Sequence, residues 1–427
     1  MKRPSSDPLP IRPRGALAAR QRPPGSRSIA HRALVAAALA EGPSRLAGIS
    51  ESDDTRAMRE GLRLLGVSIE HGLAAWTVHG TGGQLRAPDR VLDVGASGST
   101  ARFLTAVATL ADGPVVIDGS PRMCERPIAA LVTALEALGA RSEILGQGGC
   151  PPVRVAGGGL PGGRARVDAR RSSQFVSGIA LAAPCAQRDV ELELVDGTLV
   201  SRPFVELTLE VMDAFGAEAD LRGDELRVRA GSGYSARDYT VEPDAQAAVY
   251  AFAAAAIAGG RMRVEGLGRA SQQTDLRLLD VLARMGCHVD RHEDAIVVER
   301  LPREPLRGVE VDGRDIPDAV LALAVVALFA EGPTTVRGIG HLRIKESDRL
   351  AALEQEIRRL GAEARTGADW LRIEPAPLRG ADIETYDDHR MAMSFALAGL
   401  RVPGVRIRDP DCVAKTWPDY FAALESW

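Results

Sequence analysis

Leu65-Gly66-Val67 returns as Leu138-Gly139-Ala140, Phe215-Gly216-Ala217, Met285-Gly286-Cys287 and Leu360-Gly361-Ala362, with the glycines 73, 77, 70 and 75 residues apart. Each phrase closes a helix-like stretch, and glycine suits the position just past a helix end, where the backbone turns left-handed. A strand-like segment follows each time. Between these phrases lies a second series rich in alanine and small residues, at 26–41, 98–112, 172–186, 244–259, 317–331 and 387–400. Its members begin with polar residues and run into short β-like segments, clearest at 114–119, 190–197, 261–266 and 334–338. The run Val190-Glu191-Leu192-Glu193-Leu194 alternates with period two, as a half-buried strand does. The unit therefore reads helix, strand, helix, strand over about 73 residues.

Five copies are complete and a sixth reaches the C-terminus without a last strand. The N-terminal segment is the unassigned candidate for it, which would make one domain discontinuous. Six units of this size suit two domains of three each, and the unit is too large for an ordinary solenoid. The alanine-rich helices are apolar on nearly every face, so they are expected to be buried with sheets around them.

Composition narrows the function. The 427 residues are 45% hydrophobic and 26% charged, a globular balance. A net charge of −4 argues against general nucleic-acid binding. The longest apolar runs, 247–258 and 319–330, have 12 residues each, short of the ~20 that a membrane span needs. Residues 1–24 show no apolar stretch of the signal-peptide kind. The five cysteines form no C-x-x-C pair and read as reduced cytoplasmic thiols. His288 and His292 are four apart, but Val289 and Arg291 break the metalloprotease pattern, so they read as exposed loop histidines and no metal is expected.

Chemistry gathers at the helix starts. The first series carries Ser26-Arg27-Ser28 with Arg32, Gly98-Ser99-Thr100 with Arg102, Ser172-Ser173-Gln174, and Asp387-Asp388-His389-Arg390. The second carries Arg126-Pro127, Ser201-Arg202-Pro203, Lys345-Glu346 with Arg349, and Lys415-Thr416. Any one Ser, Thr or Asp there is an ordinary cap. Basic residues repeated at equivalent positions of an acidic chain point instead to a common pocket. Helix N-termini and guanidinium groups both favour anions, so its ligand is a polyanionic small molecule.

At these residues the chain resembles the 5-enolpyruvylshikimate-3-phosphate synthase family. The matching segments are Pro24-Gly25-Ser26-Arg27-Ser28-Ile29 with His31-Arg32-Ala33-Leu34, Gly98-Ser99-Thr100-Ala101-Arg102, Pro121-Arg122-Met123 with Glu125-Arg126-Pro127, Ser172-Ser173-Gln174-Phe175, and Leu199-Val200-Ser201-Arg202-Pro203. They continue with Ile316-Pro317-Asp318-Ala319, Arg343-Ile344-Lys345-Glu346-Ser347-Asp348-Arg349-Leu350, Asp388-His389-Arg390-Met391-Ala392-Met393, and Ala414-Lys415-Thr416-Trp417-Pro418-Asp419. All occur in the family's order.

The resemblance implies an α/β fold of two similar domains, each of three βαβαββ repeats with sheets around buried helices. The domains are expected at 25–243 and at 1–24 plus 244–427, with the N-terminal strand joining the last repeat. The implied reaction moves the enolpyruvyl group of phosphoenolpyruvate to the 5-hydroxyl of shikimate 3-phosphate and releases phosphate, by addition and elimination. No metal or organic cofactor is implied. The partners are these two small molecules, with no nucleic acid and no membrane, for a cytoplasmic monomer.

Site residues carry over by motif. Arg27, Ser28, Arg32, Ser172, Ser173, Gln174, Ser201, Asp318, His341 and Lys345 are implied to hold shikimate 3-phosphate. Arg27, Gly98, Arg126, Gln174, Arg349, Arg390 and Lys415 are implied to surround phosphoenolpyruvate. Asp318 is similar to the family's base and Glu346 to its proton donor. Two carboxyl groups can divide such roles when their surroundings separate their acidities. The chain departs from the family where Arg27 replaces a usual Lys, Ala96 a common Asn, Cys124 a frequent Lys, Phe204 a frequent Tyr and His341 a frequent Asn. Arg27 keeps the charge but cannot give up a proton.

The alternatives are an enolpyruvyl transferase with another acceptor and a catalytically retired anion-binding homologue. UDP-N-acetylglucosamine enolpyruvyl transferase has a catalytic Cys five residues before the matching Arg-Pro. Here that position is Pro121, and Cys124 reads as a small buried residue.

Overall fold

The computed structural model describes residues 8–72 and 74–427. The chain folds into two compact units, one of Gly25–Glu242 and one of Pro243–Trp427 together with the N-terminal segment up to Pro24. Each has its own hydrophobic core.

In the first unit the helices are α1 (Arg27–Leu39), α2 (Asp53–Leu64), α3 (Gly98–Val107), α4 (Ala129–Ala137), α5 (Gln174–Ala182) and α6 (Pro203–Ala214). Helices α1, α3 and α5 pack on one another in its centre. In the second they are α7 (Ala245–Ala258), α8 (Leu278–Arg284), α9 (Val320–Ala327), α10 (Arg349–Arg359), α11 (His389–Gly399) and α12 (Tyr420–Ser426). Helices α7, α9 and α11 form its centre, and every residue of α7 and α9 is buried. Small side chains allow this close approach of helix backbones. The intervening helices α2 and α10 are amphipathic and keep one face exposed.

The recurring glycine phrases end α2, α4, α6, α8 and α10. Gly66, Gly139, Gly216, Gly286 and Gly361 all have φ between 84° and 108°, which a residue with a side chain rarely adopts. The next residue's N–H reaches back to the carbonyl five residues earlier, as in Val67→Leu62 (3.1 Å), Ala140→Leu135 (2.9 Å), Ala217→Met212 (3.0 Å) and Cys287→Leu282 (2.9 Å). This closure satisfies carbonyls that the helix end leaves open.

The sheets repeat as well. In the first unit Asp238–Thr240, Glu41–Ala47, Ala75–Thr81 and Ser68–His71 form one four-stranded sheet in that order. Leu92–Asp93, Val115–Asp118, Val153–Val155 and Ser142–Ile144 form the second, and Gly163–Ala169, Val190–Leu199, Glu225–Val228 and Ala219–Arg222 the third. Each begins with a parallel pair and ends with an antiparallel hairpin. Val190, Leu192 and Leu194 point inward, as the alternation requires.

In the second unit the N-terminal segment serves two sheets. Leu9–Pro10 pairs antiparallel with Arg406–Ile407, which itself pairs parallel with Asp382–Ile383. The longer strand Leu17–Gln21 pairs parallel with Gly260–Glu265 and opens the sheet continued by Ala295–Arg300 and His288–Arg291. The sequence reading, which assigns one strand to one repeat, does not contain this second pairing. Residues 1–7 of that segment lie outside the described residues. The remaining four-stranded sheet is Glu310–Asp312, Thr334–Arg337, Trp370–Glu374 and Glu363–Thr366. His288 sits in a strand rather than a loop, because its neighbours pair with Ala295–Arg300. No helix among the described residues is long and apolar enough to cross a membrane.

Candidate active site

In the second unit, Asp318 lies just before α9 but does not cap it; the helix begins after Ala319 with no side-chain cap. Its carboxylate is taken up elsewhere. Arg349 Nη1 donates to Asp318 Oδ1 at 3.0 Å and Arg390 Nε approaches the same oxygen at 3.1 Å. Gln246 Nε2 donates to Oδ2 at 2.8 Å.

Arg349, the first residue of α10, is 1% exposed. It also donates through Nη2 to Glu346 Oε2 at 2.8 Å, and through Nε to Asp388 Oδ2 at 2.8 Å. Arg390 donates to Gln246 Oε1 at 2.6 Å and Tyr250 Oη at 3.3 Å. Burial works against both guanidinium charges. For Arg349 the carboxylates of Asp388, Glu346 and Asp318 outweigh it, and for Arg390 Asp318 does so with Tyr250 and Asp275, so both hold their protons more tightly than an ordinary arginine. One connected network thus joins the two candidate carboxyl groups, Asp318 and Glu346, through a single guanidinium.

Asp388 anchors it. It is fully buried, accepts the Arg390 N–H at 3.0 Å as the N-cap of α11, and receives Ser347 Oγ at 3.0 Å. Tyr386 and Asp387, immediately before it, both have positive φ (56° and 54°). Two consecutive strained residues mark a turn held by its surroundings, and such strain gathers at functional sites.

Lys345 and Glu346 do not start a helix. They fill the turn between a 3-10 stretch, Gly340–Ile344, and α10, whose cap is Asp348. Lys415 likewise ends the 3-10 stretch Pro410–Lys415, five residues before α12. It lies near Asp387, whose carboxyl is raised by burial against the pull of that ammonium. His341 faces the same cluster. Its Nε2 has no hydrogen-bond partner among the described residues, and burial, then Lys345, push the ring down to about 4, so it is neutral near pH 7.

In the first unit, Arg126 follows the 3-10 turn Met123–Glu125 and precedes α4 by three residues, so it too is not a helix start. Its Nη1 donates to the Ala96 carbonyl at 3.4 Å, and its guanidinium lies over Gly98: a Cβ on Gly98 would stand 2.6 Å from Nη2. Arg102, grouped above with the polar helix start, is turned inward and donates to Pro127 O at 2.8 Å, which fixes the loop carrying Arg126. Cys124 is half-buried, not buried, and its thiol donates to Asp118 at 3.3 Å.

Arg27 pairs with Asp54 at 2.5 Å. Arg32 is 3% exposed and donates to Thr208 Oγ1 (2.8 Å), Ser28 O (2.6 Å) and Phe204 O (2.8 Å). No carboxylate contacts it among the described residues, and burial, then Arg27, lower its pKa to about 9. Ser172 Oγ accepts the Gln174 N–H at 3.2 Å at the start of α5, where Ser173 is the buried N-cap residue. Ser201, before α6, is buried and left-handed, with φ 53°.

Three participants escape the sequence reading as site residues. Asp388 stands inside a quoted motif but reads there only as part of a polar helix start. Gln246 follows the cap Asp244 by two residues, a weak signal. Asp275 carries no sequence signal; only the tertiary structure brings it to Gln246 and Asp318.

The likeness to known proteins runs along nearly the whole chain. The family model described as EPSP synthase (3-phosphoshikimate 1-carboxyvinyltransferase) matches residues 11–424. The chain is 47% identical over 403 residues to a 3-phosphoshikimate 1-carboxyvinyltransferase of Methanoculleus marisnigri, covering 94% of each chain. It is 45% identical over 401 residues to the protein of that name from Nostoc punctiforme, covering 93% of each. Its fold is similar to the EPSP synthase of Acinetobacter baumannii, with a TM-score of 0.81, 28% identity and 97% of both chains covered. The chain belongs to the EPSP synthase (3-phosphoshikimate 1-carboxyvinyltransferase) family.

Proposed function

We infer that this chain transfers the enolpyruvyl group of phosphoenolpyruvate to the 5-hydroxyl of shikimate 3-phosphate and releases phosphate. The observation that carries this reading is the buried network in which Asp318 and Glu346 share Arg349, with Asp388 and Arg390 completing it.

In the addition step Asp318 takes the proton of the 5-hydroxyl as its oxygen bonds to the substituted carbon of the enol phosphate. Glu346 delivers a proton to the methylene carbon, which becomes a methyl group. In the elimination that methyl group returns a proton to Glu346, the double bond reforms, the C–O bond to phosphate breaks, and the departing phosphate takes up the proton held by Asp318, so both carboxyl groups return to their starting states. Arg349, Arg390 and Lys415, with Arg27, Arg126, Gln174 and the backbone at Gly98, hold the anionic phosphoenolpyruvate. Arg27, Ser28, Arg32, Ser172, Ser173, Gln174, Ser201, Asp318, His341 and Lys345 hold shikimate 3-phosphate. Arg32 supports this role physically, since a buried cation with no carboxylate on it among the described residues is stabilised by an incoming anion. The protein is proposed to act in the cytoplasm as a monomer, on these small molecules alone.

The test is phosphate release with each substrate alone and with both. Release is expected only with both, and Asp318→Ala is expected to lower kcat by about 100-fold or more, the scale of lost proton-transfer catalysis. Full turnover of Asp318→Ala would remove the proposed base. Activity with another hydroxyl acceptor and none with shikimate 3-phosphate would move the reading to a different enolpyruvyl transferase.

A further inference from the structure

Behind Asp318 lies a second layer of polar groups that the proposed reaction does not use. Gln246, in the first turn of α7, is 4% exposed. Its amide is fixed in orientation by its neighbours. Oε1 accepts from Arg390 Nη2 at 2.6 Å, so Nε2 must face Asp318 Oδ2, at 2.8 Å. Its own backbone N–H is held by the Asp244 carboxylate at 2.7 Å.

Asp275 approaches the same amide. It lies in the 3-10 stretch Thr274–Arg277, is 2% exposed, and hydrogen-bonds the Gln246 side chain, while its Oδ1 finds no hydrogen-bond partner among the described residues. A buried carboxyl that forms no ion pair among the described residues, set beside a second carboxylate, is costly to ionise even with Arg390 nearby. Burial first, and then Asp318, raise its pKa well above the ordinary carboxylate range.

We infer that Gln246 and Asp275 are positioning residues for Asp318: the Gln246 amide holds Asp318 Oδ2 and Arg390 in register, and the Asp275 carboxyl behind it sets the charge that both feel. The inference rests on Asp318 being the base of the proposed reaction. The groups facing Asp275 are Asp318, Arg390, and Asp244 and Gln246 of the α7 start. The charged residues of α8, which also packs on the Asp275 turn, are engaged elsewhere: Asp280 with Arg291 and Arg284 with the Glu310 carbonyl. Within the turn, Arg277 is paired with Asp315.

Burial and the neighbouring carboxylate favour the protonated form of Asp275, and in that form Arg390 keeps its full attraction for an anionic substrate. Above its titration the new negative charge competes for Arg390. The KM for phosphoenolpyruvate in the wild-type protein is therefore expected to rise by about threefold or more between pH 7 and 9.5. Asp275→Asn is expected to remove that rise, because its amide cannot ionise.

Gln246→Glu is the second test. It preserves shape but turns the donor toward Asp318 into an acceptor. Its kcat is expected to fall by about 30-fold or more at pH 8, and to recover as the added carboxyl protonates at lower pH. A residue that only fills space would tolerate this isosteric change and show no pH-dependent recovery. Wild-type kcat and pH profile in Gln246→Glu would overturn the inference. So would an unchanged alkaline rise in Asp275→Asn, which also decides the matter if Gln246→Glu does not fold. Asp318→Ala, assayed alongside, separates the two readings. Lost turnover there with normal behaviour of both new variants sinks only the positioning role, whereas full turnover there sinks the base assignment itself.

Discussion

Gly98→Ala provides a direct test of the Arg126 assignment. The glycine has no left-handed φ, so alanine fits its backbone, and as the first residue of α3 it would favour the helix by about 1 kcal/mol. The added methyl, however, would stand 2.6 Å from Arg126 Nη2 and 3.0 Å from Nη1 and Cζ. Ordinary contact begins at 3.4 Å, so the guanidinium must recede by about 0.8 Å. It is the far end of a flexible side chain and can do so without moving the fold. A hydrogen bond of about 2.9 Å to a bound carboxylate or phosphate would then open to about 3.7 Å, outside bonding range. Losing one bond to a charged group costs about 1.5–3 kcal/mol. The expected result is a rise in KM for phosphoenolpyruvate of about 10- to 150-fold at saturating shikimate 3-phosphate, with the melting temperature unchanged or slightly raised. Steady-state phosphate release with phosphoenolpyruvate varied, beside a thermal melt, measures both. An unchanged KM together with a melting point lowered by many degrees would refute the reasoning, because it would make Gly98 a packing residue and Arg126 a bystander.

Two further outcomes concern stability. Asp388→Ala removes the buried counter-ion of Arg349 and the cap of α11, and is expected to cost about 3–5 kcal/mol. Asp388→Asn keeps a capping oxygen and is expected to cost less, a ranking that denaturant titration reads directly; equal losses would show that the cap adds nothing beyond the charge. The second concerns acid. His31 is buried, and burial lowers its ring to about 3 from the unfolded value of 6.5. The unfolded chain therefore binds the proton first, so this contribution is complete above pH 6.5 and drains as pH falls toward 3. By pH 4 the loss from this one group is about 3 kcal/mol, and His31→Gln is expected to flatten the acid limb of stability by that amount. An identical acid limb in variant and wild type would contradict the assignment.

What was legible in the sequence, and what was not, divides by the range of the interaction. The six alanine-rich helices could be read because a helix buried on every face shows itself in composition alone, and α7 is buried at every position. The five terminal glycines could be read because a left-handed helix end has one cheap residue. The sequence pattern puts Lys345, Lys415 and Arg126 on helix starts, whereas they stand at the ends of 3-10 stretches. Turns of three to six residues, such as Met123–Glu125 and Pro410–Lys415, have no periodicity to betray them, and the neighbouring helix pattern absorbs them. Asp318 was legible as a chemical residue but not as the acceptor of three donors, since Gln246, Arg349 and Arg390 come from three different helices. Arg102 shows the converse: its charge suggested a ligand, and its length is used to hold a loop.

The candidate ligand arginines Arg349 and Arg390 are treated differently from Arg32, which bears on how an anion would be bound. Arg349 and Arg390 are neutralised in advance. An arginine has five N–H groups. Arg349 commits four contacts to Asp318, Glu346 and Asp388, and Arg390 commits three to Asp318, Gln246 and Tyr250. That leaves about three N–H groups between the two side chains for a substrate. On the proposed reading, carboxylates there are spent on fixing orientation, so that the remaining donors meet phosphoenolpyruvate without rearranging as charge shifts during addition. Among the described residues Arg32, in the first unit, is held by a hydroxyl and two carbonyls, which orient it but do not compensate its charge. A preorganised but electrostatically unsatisfied cation favours tight ground-state binding of an anion, whereas a presatisfied pair favours constancy during reaction. The expected division follows from that contrast. Arg32→Met should act chiefly on KM for shikimate 3-phosphate, while changes to the Asp318 network should act chiefly on kcat. An Arg32 variant that lost kcat at unchanged KM would reverse this assignment of binding and chemistry to the two sets of residues.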